Sequence, residues 1–219
     1  MFKYKILLFL IFCFFCTSYY VVEGKENAMP LMGKVIYIDA GHGGLDPGAM
    51  YKNIKEKDIN LEISLKLENR LTELGATVYQ TRYGDYDLSV KNTNNRKISD
   101  LSRRTYIINE SKCDMYLSIH LNADSSSVWK GMQIFYDDVL RENKDLAVLI
   151  TKDLKKHFSN VREIKELTGI YIYRRVKVPG ILIEAGFLSN ANDRYLLKQK
   201  EHQNKLANVI ANSVVNYYK

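Results

Sequence analysis

Apolar residues recur along this chain in two rhythms. Short, β-branched runs cover Val35–Ala40, Ala76–Arg82, Met115–Leu121, Gly131–Tyr136, Gly169–Tyr173 and Gly180–Ala185, and each predicts a buried strand. Longer stretches place apolar residues three and four apart: Arg141–Phe158, Glu201–Tyr218 and the shorter Asp100–Ser111 read as helices. Asp58–Leu74 fits both periods, since Ile59, Leu61, Ile63, Leu65 and Leu67 alternate while Ile59, Ile63, Leu67, Leu71 and Leu74 follow helical spacing. Its length decides for a helix, stopped by Gly75. The polar stretch Tyr83–Ser99 reads as a long loop of the kind that carries function. Strands alternating with helices predict an α/β, single-domain layered fold with a mostly parallel central sheet flanked by helices.

The 219 residues, 46% of them hydrophobic and 26% charged, supply one sizeable core and exclude a disordered or fibrous chain. The N-terminus stands apart. Lys3 and Lys5 precede an apolar run from Ile6 to Val22 that ends at Glu23, which predicts export across the cytoplasmic membrane. Residues 1–24 form a signal peptide or, because residues 6–22 approach spanning length, an uncleaved membrane anchor; 25–33 form a linker and 34–219 the folded domain. Cys13 and Cys16 lie in the exported segment, so Cys113 stands alone in the domain as a small buried hydrophobe and no disulfide framework is available. A net charge of +7 favours a polyanionic partner. Nucleic acid is not expected, because basic and acidic residues are interleaved and no binding motif is present.

The chemistry concentrates where predicted strands end, the edge at which open α/β sheets bind ligands. Val35–Ala40 runs into Gly41-His42-Gly43-Gly44, Met115–Ile119 into His120, and Gly180–Ile183 into Glu184-Ala185-Gly186. If these strands are parallel neighbours, two imidazoles and a carboxylate meet. Two histidines and one carboxylate form a zinc set that leaves a position for water, and hydrolysis needs a second carboxylate as base. Glu56 and Glu184 are the two candidates; the glycine-rich loop after His42 could fold back to present Glu56. Taken singly, each residue has a bland alternative: a structural glycine turn, a hydrogen-bonded core histidine, a Glu184 paired with Arg103 or Arg104, a solvated Glu56. His157 and His202 sit in charged helical segments where surface placement is the default.

Asp39-Ala40-Gly41-His42-Gly43-Gly44, Asp46-Pro47-Gly48-Ala49, Glu56-Lys57-Asp58-Ile59-Asn60-Leu61, Ser118-Ile119-His120-Leu121-Asn122-Ala123 and Glu184-Ala185-Gly186-Phe187-Leu188-Ser189-Asn190 follow one another in the chain. In sequence and order they resemble the zinc-dependent N-acetylmuramoyl-L-alanine amidases. The stretch Trp129-Lys130-Gly131-Met132-Gln133-Ile134-Phe135-Tyr136 and the lack of wall-binding repeats make the chain most similar to the germination-specific, spore cortex branch of endospore formers.

The resemblance implies a peptidoglycan hydrolase that cuts the amide between the lactyl group of N-acetylmuramic acid and L-alanine, in the pathway to muramic δ-lactam. It implies one Zn2+ held by His42, Glu56 and His120, with Glu184 as catalytic base. Arg104, Asn122 and Trp129 are candidate substrate-binding residues, with Lys130, Arg174 and Arg175 as further cations near the sheet edge. Trp129 either stacks on a sugar or packs its own loop. The span between His120 and Glu184 leaves little room for a self-blocking helix, so control by zinc supply or by a regulatory protein is expected, in the developing spore envelope. The competing readings are a wall-glycan-binding module without turnover and a zinc peptidase acting within the stem peptide.

Overall fold

The computed structural model describes residues 29–167 and 175–219. The export segment, the strand expected at Gly169–Tyr173 and Arg174 lie outside these residues. A six-stranded sheet runs through the molecule in the order β4-β1-β5-β8-β6-β7. Its members are β1 (Val35–Ala40), β4 (Thr77–Gln80), β5 (Met115–Asn122), β6 (Gln133–Tyr136), β7 (Lys165–Glu166) and β8 (Gly180–Phe187). β4, β1, β5 and β8 are mutually parallel, and β6 is antiparallel to β8. A two-stranded ribbon, β2 (Met50–Tyr51) with β3 (Ile54–Lys55), sits in the loop after β1.

Strand alternation sorts the core into two layers. Ile36, Ile38, Leu117, Ile119, Ile134, Ile181 and Ile183 face a large cluster shared with α1 (Glu56–Glu73), α3 (Arg141–His157) and α5 (Lys200–Tyr217). Tyr37, Tyr116, Phe135 and Leu182 point to the other face and pack with Ile108 of α2 (Arg96–Glu110) and with Cys113. The lone domain cysteine is therefore the small buried hydrophobe expected, and burial pushes its thiol pKa up.

The ambiguous segment is a helix: α1 buries Ile59, Ile63, Leu67 and Leu71 at a spacing of four, while Leu61 and Leu65 stay half-buried. α2 begins a turn earlier than its apolar pattern predicts. Asn95 caps it by accepting from the Ile98 N–H at 3.1 Å, and the exposed first turn carries no periodic signal. A short helix, α4 (Ala191–Leu197), was not expected; the Asn190 side chain caps it by accepting from the N–H groups of Asn192 and Asp193. Between β5 and β8 the described residues contain β6, α3 and β7 and no additional α-helix. No helix among the described residues is long and apolar enough to cross a membrane.

Candidate active site

The three strands that end in chemistry are neighbours. β1, β5 and β8 lie side by side in parallel, and His120 on β5 is the direct register partner of Glu184 on β8. Gly41 continues β1 beside His120, its N–H donating to the Ile119 carbonyl at 3.0 Å. A Cβ on Gly41 would stand 2.3 Å from the His120 ring, so only glycine lets the imidazole lie across the end of β1.

His42 follows with φ 62, a left-handed conformation that residues with side chains rarely adopt. The loop then folds back. The Glu56 N–H donates to the Ala49 carbonyl at 2.9 Å and the Lys57 N–H to the Pro47 carbonyl at 3.1 Å, which satisfies the first turn of α1 without a side-chain cap. Gly48 is required in this fold-back: its φ is +65, and a Cβ would meet Glu56 Oε2 at 2.5 Å.

These contacts deliver Glu56 between the two histidines. Its Oε1 lies 3.1 Å from His42 Nε2 and 3.0 Å from His120 Nδ1, and accepts the Leu121 N–H at 3.0 Å; Oε2 accepts the Ala49 N–H at 2.7 Å. Behind His42, Asp46 Oδ2 lies 2.8 Å from Nδ1, which fixes the ring with Nε2 toward Glu56. Burial works against a charged His42, but hydrogen bonds to Glu56 and then Asp46 outweigh it and raise the imidazole to about 9. Burial likewise opposes the Glu56 carboxylate, and the two imidazoles overcome it, holding Glu56 below the ordinary carboxylate range.

Glu184 is in the opposite situation. Burial first, and then the charge of Glu56, push its carboxyl up to about 8, and its Oε2 is buried with no hydrogen-bond partner. The pairing with Arg104 or Arg103 considered from the sequence does not occur. Arg103 lies over the Tyr106 ring, and Arg104 is bonded to Asp39 at 2.7 Å, to Asp100 at 2.8 Å and to the carbonyls of Ala40 and His42 at 2.8 and 2.6 Å. Arg104 lines the cavity while its guanidinium holds carbonyls of the loop that carries His42.

A cavity of about 260 Å3 opens over the cluster, walled by His42, His120, Glu184, Lys97, Leu101 and Leu182. It shares Asp46, Lys97 and Asp100 with an adjoining cavity of about 270 Å3. Arg96 and Arg104 in these walls are paired with acids, whereas Lys97 has no carboxylate within ion-pair distance among the described residues. Asn122 and Trp129 are not in these walls. Asn122 accepts the Leu188 N–H through its carbonyl at 2.7 Å, and the half-exposed Trp129 ring carries the Arg162 guanidinium 4.8 Å from its centroid. Lys97 and Arg82 escaped the sequence reading. Arg82 was nonetheless legible by the rule that found His120, as a charged residue at the carboxyl end of a parallel strand.

The donor set of His42, Glu56 and His120 lies within 4.8 Å of one another, and two imidazoles with one carboxylate are a set that zinc takes. The profile of the N-acetylmuramoyl-L-alanine amidase family matches residues 36–216. The chain belongs to that family. Among amidases it is 41% identical to the germination-specific N-acetylmuramoyl-L-alanine amidase of Bacillus subtilis, over 89% of this chain and 84% of that one. The CwlD amidase of Clostridioides difficile, solved in complex with the GerS lipoprotein, superimposes with a TM-score of 0.81 at 38% identity, over 84% of this chain and 98% of that one. The catalytic domain of the CwlV amidase from Bacillus (Paenibacillus) polymyxa gives 0.74 at 30% identity, over 84% and 97%.

Proposed function

We propose that this amidase is zinc-dependent, with His42, Glu56 and His120 as the metal ligands and Glu184 as general base and acid, and that it acts on spore cortex peptidoglycan. The observation that supports it best is the convergence of both imidazoles on one Glu56 oxygen, with Glu184 in register beside His120. Held by His42, Glu56 and His120, a zinc ion would supply Lewis acidity toward the scissile carbonyl and make an attacking water more acidic, toward a pKa of ~7. A cation bound beside Glu184 would favour its carboxylate, whose unpartnered oxygen in the cavity wall would take the proton of the attacking water and return it to the departing alanine nitrogen. Leu101 and Leu182 give the cavity its apolar wall, and Lys97 meets the carboxylates of the stem peptide.

The cortex assignment draws on the likeness to the germination-specific relative, and envelope placement on the export signal of residues 1–24, with residues 6–22 as an anchor if uncleaved. The lipoprotein complex of the C. difficile relative supports a partner protein here too.

Digestion of purified peptidoglycan by the domain with added zinc, followed by mass spectrometry, tests the reaction. Free stem peptides beginning with L-alanine, absent with Glu184→Ala, are expected. Cuts within the stem peptide would replace the amidase reading with a peptidase, and zinc binding without any cleavage would favour a wall-binding module.

A further inference from the structure

A buried charge is normally matched by an opposite one, because the desolvation cost of an unmatched charge is large. Arg82 departs from this. It is 1% exposed at the carboxyl end of β4, with no carboxylate within ion-pair distance among the described residues. Four main-chain carbonyls take its fork instead. Nε donates to Ala40 at 2.9 Å, Nη1 to Gly84 at 3.0 Å, and Nη2 to both Gly41 at 2.9 Å and Lys57 at 2.7 Å.

Two of these acceptors flank the metal ligands. Gly41 immediately precedes His42, Lys57 immediately follows Glu56, and one nitrogen of Arg82 bonds to both. Arg104 reaches the same loop from α2, taking the carbonyls of Ala40 and His42, so three successive carbonyls are held by two guanidiniums. This grip falls where His42 adopts its left-handed φ. Arg104 is neutralised by Asp39 and Asp100, whereas the acceptors of Arg82 carry no charge.

We propose that Arg82 is a positioning residue that presets the spacing of His42 and Glu56, so that metal affinity depends on a side chain that touches neither ligand side chain. The inference rests on the zinc reading above. A planar fork can bridge four carbonyls, which a lysine ammonium cannot reproduce.

The test compares wild type, Arg82→Lys, Arg82→Gln and Arg96→Gln. Arg96 pairs with Asp87 on the neighbouring loop and serves as a control for general loosening. Zinc affinity is measured by competition with a chromophoric chelator, and amide hydrogen exchange is followed at Gly41–Gly44 and Glu56–Lys57. The expected result is an affinity loss of about 10–100-fold in both Arg82 variants, comparable to removal of other groups that orient metal ligands. Faster exchange in the metal-free loop, reversed by saturating zinc, should accompany it, with Arg96→Gln unchanged. Arg82→Lys keeps the charge and decides the matter if Arg82→Gln fails to fold. Affinity within twofold of wild type in a folded Arg82→Lys protein, or an equal loss in Arg96→Gln, overturns the proposal. Wild-type protein that holds no zinc overturns the metal reading itself.

Discussion

His120 and Glu184 are register partners on adjacent parallel strands, so one pleat of the sheet presents an imidazole and a carboxyl side by side. The imidazole bonds to Glu56 at 3.0 Å, whereas Glu184 Oε2 is buried without a partner. One sheet row thus combines a group tied into the charged cluster with a carboxyl oxygen that has no hydrogen-bond partner.

That difference makes stability depend on pH. Burial and then Glu56 raise the folded pKa of Glu184 to about 8, above the unfolded value of 4.5. Between those pH values the folded state keeps a proton that the unfolded state has lost, so stability falls as pH rises through this window. Metal-free Glu184→Gln should match wild type near pH 4.5 and exceed it by several kcal/mol at pH 8. Urea denaturation across this range measures the gap. A gap that does not change with pH would refute the buried, protonated Glu184.

Gly41→Ala places a methyl group 2.3 Å from the His120 ring and must move one of them. The variant should fold, because the clash lies at the sheet edge, but lose zinc affinity and at least about 100-fold in activity through misplacement of a ligand. Isothermal titration with zinc and a peptidoglycan release assay would report it, and wild-type zinc affinity would count against the close packing.

Removing the Arg104 side chain leaves Asp39 buried beside Ser118 with its charge unmatched. Burial alone would raise the Asp39 pKa, and Arg104 overcomes this to hold it at about 2. Arg104→Met should cost about 3–5 kcal/mol. Adding Asp39→Asn should recover part of that loss, since the unmatched charge is then gone. Thermal denaturation of the single and double variants decides, and purely additive losses would contradict the coupling.

Lys97 separates the two cavities and is the cation there without an acidic partner among the described residues. Lys97→Gln should raise KM for stem-peptide substrates about 3–10-fold with little change in kcat, because an exposed charge–charge contact contributes roughly 1 kcal/mol. Steady-state kinetics at low and high salt would show the wild-type KM rising toward that of the variant. An unaltered KM would remove Lys97 from substrate binding.

Much of this was legible without coordinates. The strands β1, β5 and β8 announce themselves as apolar runs that break into glycine, histidine and glutamate, and the rule that open sheets bind ligands at carboxyl ends brings those residues together. The motif resemblance adds the expectation that Glu56 is the metal ligand and Glu184 the base, and the structure places Glu56 between the two histidines and Glu184 beside His120. A boundary slipped where a cap outweighs periodicity, at Asn95, and the short helix capped by Asn190 was missed for the same reason.

Arg104 and Arg82 show the limit. As residues in a one-dimensional string, each is a long cation suited to an acidic substrate, and a cation on a helix or a strand end has no local pattern that reveals burial. Their acceptors at Ala40 lie 64 and 42 residues away, so only the packed sheet shows that both hold carbonyls of the loop that carries His42. For the same reason only the structure shows that Lys97 lines the cavity and that Trp129 meets Arg162 from the segment after α3. The amino-acid sequence by itself determined the long helices and buried strands of the described residues, the layer architecture and the residue types at the strand ends, because these follow from short-range periodicity and turn chemistry. Which charges are buried, which are matched and which face the cavity was decided by tertiary structure alone, because desolvation and hydrogen bonding depend on neighbours that the chain brings together only when it folds.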